Sequence, residues 1–153
     1  MRNIKACLSC KSDEWATPSR LYKRYMDSGY FDPCPLNHNF DGLQINWKSK
    51  NFVNPPFSKV ELWVKKAIQE CDRGNKIVML LPVRTDTQWC KLLFLNFNAQ
   101  FTFIEGRFKF NDSKFSAPFP CMFVTLDKEF NRLNTIPINY ITRNELERFI
   151  EGN

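Results

Sequence analysis

The chemistry in this sequence centres on Asn54-Pro55-Pro56-Phe57, directly after the apolar run Asn51-Phe52-Val53. Two adjacent prolines fix two φ angles and remove two backbone N–H donors. Asn54, preceding a proline, is held toward an extended conformation. The product is a stiff corner bearing one amide side chain, carbonyls without competing donors, and one aromatic ring. That set suits a planar amino group. Asn54 Oδ1 and the Pro55 carbonyl both accept hydrogen bonds from an –NH₂, while Phe57 stacks on the ring that carries it. The same four residues read equally well as a proline turn between a strand and a helix.

The elements around the corner must bring other polar groups to it. Thr17 suits an N-cap and Pro18 a first helical position, with Leu21, Tyr22, Tyr25 and Met26 at helical spacing, so 18–28 is predicted helical and stopped by Gly29. Tyr30-Phe31-Asp32 reads as a short strand broken by Pro33-Cys34-Pro35, leaving Asp32 at its carboxyl end. Residues 36–50 read as loop with a turn at Asp41-Gly42. Val60, Trp63, Val64, Ala67, Ile68 and Cys71 mark a helix to Arg73, on which Lys65 and Lys66 are expected to face solvent. Ile77 to Leu81 is a continuous apolar run, the pattern of a strand buried on both faces. A helix over 86–95 follows, then strands at 101–104 and 121–124, with Phe108-Lys109-Phe110 as a further candidate. Thr142-Arg143-Asn144-Glu145 is a capping box opening a C-terminal helix over 142–151. Residues 1–12 lack periodicity and are expected to be mobile. Alternating strands and helices predict one α/β domain with a mostly parallel sheet and helices on both faces. Ligands of such sheets bind beyond strand carboxyl ends, so one crevice is expected to hold Asp32 and Asn54 together.

With 153 residues, 43% hydrophobic and 25% charged, the chain fits a single folded domain and not a disordered segment. A net charge of +6 permits a polyanionic partner. No apolar run reaches the ~20 residues of a membrane span, and the N-terminus lacks a signal-peptide core, so a cytoplasmic protein is expected. Cys7 and Cys10 are spaced C-x-x-C, and Cys34 with His38 would complete four zinc ligands. The second pair lacks the C-x-x-C spacing, so no metal is expected. Cys71, Cys90 and Cys121 lie in apolar contexts and read as buried thiols.

An ordered series of short motifs carries a resemblance. Lys11-Ser12-Asp13-Glu14-Trp15-Ala16-Thr17-Pro18, Asp32-Pro33-Cys34, Asp41-Gly42-Leu43, Asn54-Pro55-Pro56-Phe57-Ser58, Leu80 to Trp89, Gly106-Arg107-Phe108-Lys109-Phe110 and Ala117-Pro118-Phe119-Pro120 follow one another. The series resembles the phage-type Dam family of DNA adenine-N(6) methyltransferases, from about Lys11 to Leu126. Membership implies a Rossmann-like, S-adenosylmethionine-dependent methyltransferase fold; no segment is long enough for a separate target-recognition domain, so none is expected. It implies methyl transfer from S-adenosylmethionine to the exocyclic amino group of adenine in DNA, the base leaving the duplex to reach the site. Asn54, Pro55, Pro56 and Phe57 match the catalytic motif Asn/Asp-Pro-Pro-Tyr/Phe/Trp. Thr17 and Pro18 match a segment that touches the cofactor's methionine end, with Trp15 packed beside it. Asp32, Pro33 and Cys34 resemble the cofactor loop after the first strand. Asp41 and Leu43 resemble the element that binds and covers the cofactor's adenine.

The sequence departs from the pattern in two ways. The cofactor loop has no glycine-rich turn, and only nine positions separate Asp32 from Asp41. That is too few for a helix and a second strand with its ribose-binding acid, a role left to Asp41 or to another acid such as Asp86. Ser58, Arg84, Thr85, Asp86, Arg107 and Lys109 are the candidate DNA-contacting residues; Thr85 or Asp86 reads equally as a helix cap, and Arg107 with Lys109 as a solvated strand face. Other readings of the whole are an amino-methyltransferase acting on cytosine, RNA or a protein glutamine, and a non-catalytic nucleic-acid-binding relative. Oligomeric state and an accessory specificity subunit stay open.

Overall fold

A computed structural model of the chain describes residues 15–96, 98–110, 116–133 and 136–152, with 131–133 as backbone only. The elements are α1 (Ser19–Asp27), β1 (Lys50–Val53), α2 (Val60–Asp72), β2 (Lys76–Pro82), α3 (Gln88–Phe94), β3 (Ala99–Ile104), β4 (Cys121–Leu126), β5 (Ile138–Ile141) and α4 (Arg143–Glu151). They build one five-stranded sheet in the order β1-β2-β4-β3-β5.

Both faces of the sheet are buried, as the apolar run of β2 requires. Ile77, Met79 and Leu81 point to a core with Trp63, Val64 and Ala67 of α2 and Trp89 and Leu93 of α3. Val78 and Leu80 point the other way, toward Leu21 and Tyr25 of α1 and Leu146 of α4. The period-two alternation of a strand therefore feeds two cores at once. Tyr25 stacks on Phe52 at 4.2 Å between centroids, tying α1 to β1.

Four of the five strands run in one direction. β1 pairs parallel to β2, and β3 parallel to β5, while β4 is antiparallel to both β2 and β3. The reversal of β4 has a topological cause. No helix lies among the described residues between β3 and β4, and a parallel return needs a long crossover. The predicted strand at Tyr30–Asp32 shrinks to one bridge residue: Phe31 pairs parallel with Asn51. Its N–H donates to Lys50 O, and its carbonyl accepts from Phe52 N, both at 2.9 Å. That bridge places Asp32 at the carboxyl edge of the sheet, beside the end of β1.

Phe108-Lys109-Phe110 pairs with no strand among the described residues. Phe108 and Phe110 are buried while Arg107 and Lys109 are exposed, so the alternation is real without a ladder. β5 was not expected, since Ile138 and Tyr140 are 55% and 64% exposed on the sheet's edge. The capping box forms as read: Thr142 Oγ1 accepts from Glu145 N at 3.3 Å, and Glu145 Oε2 accepts from Thr142 N at 2.8 Å. Lys66 is not a solvent-facing lysine. Its ammonium pairs with fully buried Glu70 at 2.8 Å, which Arg73 and Asn75 also engage. No helix among the described residues is long and apolar enough to cross a membrane.

Candidate active site

The proline corner leaves β1 at Asn54, where the pleat and the following prolines turn the chain out of the sheet. Phe57–Lys59 form one 3₁₀ turn that delivers the chain into α2. Asp32 leaves the neighbouring bridge at the same edge. Both residues line one cleft of about 620 Å³, together with Trp15, Thr17, Cys34, Pro55 and Pro56. Two strand-end residues separated in sequence thus share one crevice, the placement expected for parallel neighbours.

Thr17 does not cap α1. The helix begins at Ser19 behind Pro18, with no side-chain cap bond. Its hydroxyl instead accepts from Asn54 Nδ2 at 3.1 Å. The second amide hydrogen goes to the backbone carbonyl of Trp15, in a short hydrogen bond. With both hydrogens engaged, Asn54 Oδ1 is left buried and without a partner among the described residues. A buried acceptor costs about 1–3 kcal/mol when unsatisfied, so one carried by a residue that lines a cleft is suited to a ligand donor.

Asp32 is also under-compensated. Its Oδ1 accepts from Cys34 N at 2.8 Å, yet burial pushes its pKa up to about 6, against the smaller lowering by that amide and by the charge of His38. No lysine or arginine is paired with it among the described residues. The Cys34 thiol is pushed up to about 12 by burial, then by the charges of Asp32 and Asp41, and is not a nucleophile. Cys7 and Cys10 of the zinc set lie outside the described residues; His38 and Cys34 are both on the cleft wall.

Several expected site residues sit elsewhere. Asp41 Oδ1 accepts from Leu43 N at 2.9 Å, closing its own turn, and Leu43 packs into the core under α2. Neither lines the cleft. Gly42 explains why: a Cβ there would fall 1.9 Å from the Pro33 carbonyl oxygen and 2.8 Å from Trp63. The Asp41-Gly42-Leu43 turn is pressed against the Pro33 loop from behind and pinned by Trp47 Nε1 donating to Gly42 O at 2.7 Å. Pro33 therefore supports the cleft from outside it. Phe57 is half-buried and turned inward, stacked on Trp15 at 6.5 Å and edge-on to Phe110 and Phe119 at 5.9 and 5.4 Å. Trp15, with Tyr22 and His38, puts a ring on the cleft wall; Phe57 does not.

Arg84, Thr85 and Asp86 are exposed in the turn after β2, and the cap of α3 is Thr87, whose Oγ1 accepts from Cys90 N at 3.3 Å. Ser58 is exposed on the 3₁₀ turn. Arg107 and Lys109 line a second groove, about 310 Å³, with Pro18, Arg20 and Arg143. Pro18 faces this groove while Thr17 and Ser19 face the cleft, so the start of α1 separates the two. Reading the sequence missed Tyr22 and Lys59, which also line the cleft. Tyr22 lay inside a helical pattern that predicted packing. Its hydroxyl pKa is raised by burial and by Asp32, which marks the two as neighbours.

An unpaired buried acceptor and a desolvated acid, set at the ends of adjacent parallel strands, have the form of an α/β ligand-binding site. Comparison with known proteins gives the family. The chain belongs to the family described as DNA N-6-adenine-methyltransferase (Dam), whose model matches residues 6–151. It is 32% identical over 92 residues to a DNA N-6-adenine-methyltransferase of Escherichia phage T1, covering 50% of this chain and 39% of the relative. The match therefore spans well under two thirds of that relative's length. A solved structure described as a predicted O-methyltransferase, protein Atu636 from Agrobacterium tumefaciens, aligns with a TM-score of 0.37 and 18% identity over 67% of this chain and 44% of its own.

Proposed function

We propose that the protein transfers a methyl group from S-adenosylmethionine to the exocyclic amino group of adenine in DNA. The observation that carries this reading is the buried Oδ1 of Asn54, without a hydrogen-bond partner among the described residues, on a residue that lines the same cleft as Asp32. The phage T1 relative's description names the same activity.

The residues fit the methionine end of the cofactor. Asp32 is a desolvated acid with no lysine or arginine paired to it among the described residues, and an ammonium would supply a partner. The cofactor contributes a methyl group already activated on a positive sulfur, so the protein's work is chiefly positioning. Asn54 Oδ1 and the Pro55 carbonyl accept from the adenine amino group, drawing its nitrogen toward a tetrahedral form with a free lone pair. No general base is required before transfer, because the methylated amine is positively charged and loses its proton readily. Trp15 offers a ring on the cleft wall for stacking. Cys34, Tyr22 and His38 remain for the adenosine end, since Asp41 and Leu43 hold the loop from behind. Arg107, Lys109, Arg20 and Arg143 form a groove suited to backbone phosphates beside the entrance for a flipped base.

The test is direct. Unmethylated DNA is incubated with the protein and methyl-labelled S-adenosylmethionine, then hydrolysed to nucleosides. Label in N6-methyladenine is the expected result. Label in cytosine, or transfer only to RNA or protein, would move the substrate; none anywhere would leave a non-catalytic binder.

A further inference from the structure

We infer that Thr17 is a positioning residue that, with the Trp15 carbonyl, fixes which end of the Asn54 amide faces the cleft. The inference rests on the methyltransferase reading above. An asparagine amide presents a donor or an acceptor depending on a half-turn about its last bond. Only the acceptor orientation serves an incoming –NH₂; the donor orientation would repel it. Here Nδ2 donates to Thr17 Oγ1 at 3.1 Å and also to the Trp15 carbonyl. Reversing the amide would aim Oδ1 at a carbonyl that cannot donate. The orientation is therefore set before substrate arrives, and Oδ1 is left buried without a partner among the described residues. The clamp comes from a segment 37 positions away, so the catalytic corner is incomplete until residues 15–17 dock on it. Docking is secured by the Trp15 ring, which lies against Phe110 and Phe119 at 5.4 and 5.3 Å.

Thr17 also lines the cleft, so its effect through Asn54 must be separated from direct contact with a ligand. The experiment is a double-mutant cycle on single-turnover methylation with the cofactor saturating. Thr17→Val keeps the shape and removes the hydroxyl. Loss of one neutral hydrogen bond predicts a rate lowered by about tenfold. Thr17→Ser restores the hydroxyl and should stay within about threefold of the parent. In the N54A background, Thr17→Val should cost less than about twofold, because nothing is left to orient. An equal loss in both backgrounds would overturn the inference. So would parent-like activity of Thr17→Val.

A second readout does not depend on activity. In the ¹⁵N spectrum of the full chain, the side-chain NH₂ of Asn54 should exchange slowly with solvent and speed up at least about tenfold in Thr17→Val, with backbone amides unchanged. Fast exchange in the parent would overturn the clamp. If instead Asn54→Ala methylates normally while the exchange result holds, the catalytic reading fails and the clamp stands.

Discussion

Asn54 and Thr17, 37 positions apart, meet through a hydrogen bond of 3.1 Å that leaves the Asn54 oxygen buried and without a partner among the described residues. This geometry changes the expectation for substitutions at the corner. A carboxylate also accepts from an amino group, and the wider motif admits Asp. Here, however, Asn54→Asp would set a carboxylate oxygen against the Trp15 carbonyl that Nδ2 now satisfies. Protonation relieves the clash by supplying a donor, so the folded pKa of that acid should rise above the ordinary value near ~3.9. Asn54→Asp should therefore gain activity relative to the parent as pH falls from about 8 to about 6. Asn54→Ala should lose roughly 10²-fold at every pH while still binding cofactor. Single-turnover rates across pH, with cofactor saturating, decide it; a flat ratio for Asn54→Asp would show that the Trp15 carbonyl exerts no constraint.

Phe57 makes a different demand from the one its motif position suggests. The ring is held by Trp15, Phe110 and Phe119 and touches both cores. Phe57→Ala should open a cavity and cost about 2–4 kcal/mol of stability. A thermal unfolding midpoint equal to the parent's would show that the ring is free to swing toward a base.

The sheet was legible because its strands are buried on both faces, and burial on both faces is written as unbroken apolar runs. Ile77 to Leu81 is the clearest case. β5 was not, because an edge strand with Ile138 and Tyr140 exposed carries no such signature. Asp32 and Asn54 were legible as a pair since each follows a strand, and the sheet makes strand ends neighbours. The role of Thr17 was hidden: a threonine before a proline looks like a cap, and only tertiary docking reveals its partner. Asp41 and Leu43 lie outside the cleft for the opposite reason. Their turn is fixed by Gly42 against Pro33, a packing constraint that a turn-forming pair does not announce.

That packing gives its own prediction. Gly42→Ala would place a methyl 1.9 Å from the Pro33 carbonyl oxygen and strain the Trp47–Gly42 bond of 2.7 Å. Backbone must shift, at a cost of about 1–3 kcal/mol. The shift moves the loop bearing Asp32 and Cys34, so cofactor affinity should fall with stability. Chemical denaturation and cofactor titration measure both; loss of neither would mean the turn gives way without strain.

For DNA, the Arg107 and Lys109 side chains share a groove with Arg20 and Arg143, whereas Arg84 stands apart after β2. Replacing Arg107 and Lys109 by Ala should reduce the slope of log affinity against log salt by about 2, and Arg84→Ala by about 1. A slope unchanged by the double substitution would move the DNA path off this groove.

Asp32 links cofactor binding to pH. Burial raises its pKa from 3.8 to about 6. Between those values the folded chain holds more protons than the unfolded one, so stability falls as pH rises through that window. At pH 7.5 the free protein carries a desolvated carboxylate, a cost with a ceiling of about 3 kcal/mol. A cationic ligand offsets that cost. Cofactor affinity should therefore rise by up to about tenfold per pH unit below pH ~6 and level off above it, with proton release on binding in that range. Asp32→Asn should raise the melting midpoint at pH 7.5, flatten the dependence and weaken cofactor binding. His38 lines the same cleft, so His38→Gln serves as the control. Calorimetric titration with S-adenosylmethionine from about pH 5 to 8 tests the linkage. An affinity independent of pH in both the parent and His38→Gln would separate Asp32 from the cofactor's positive charge.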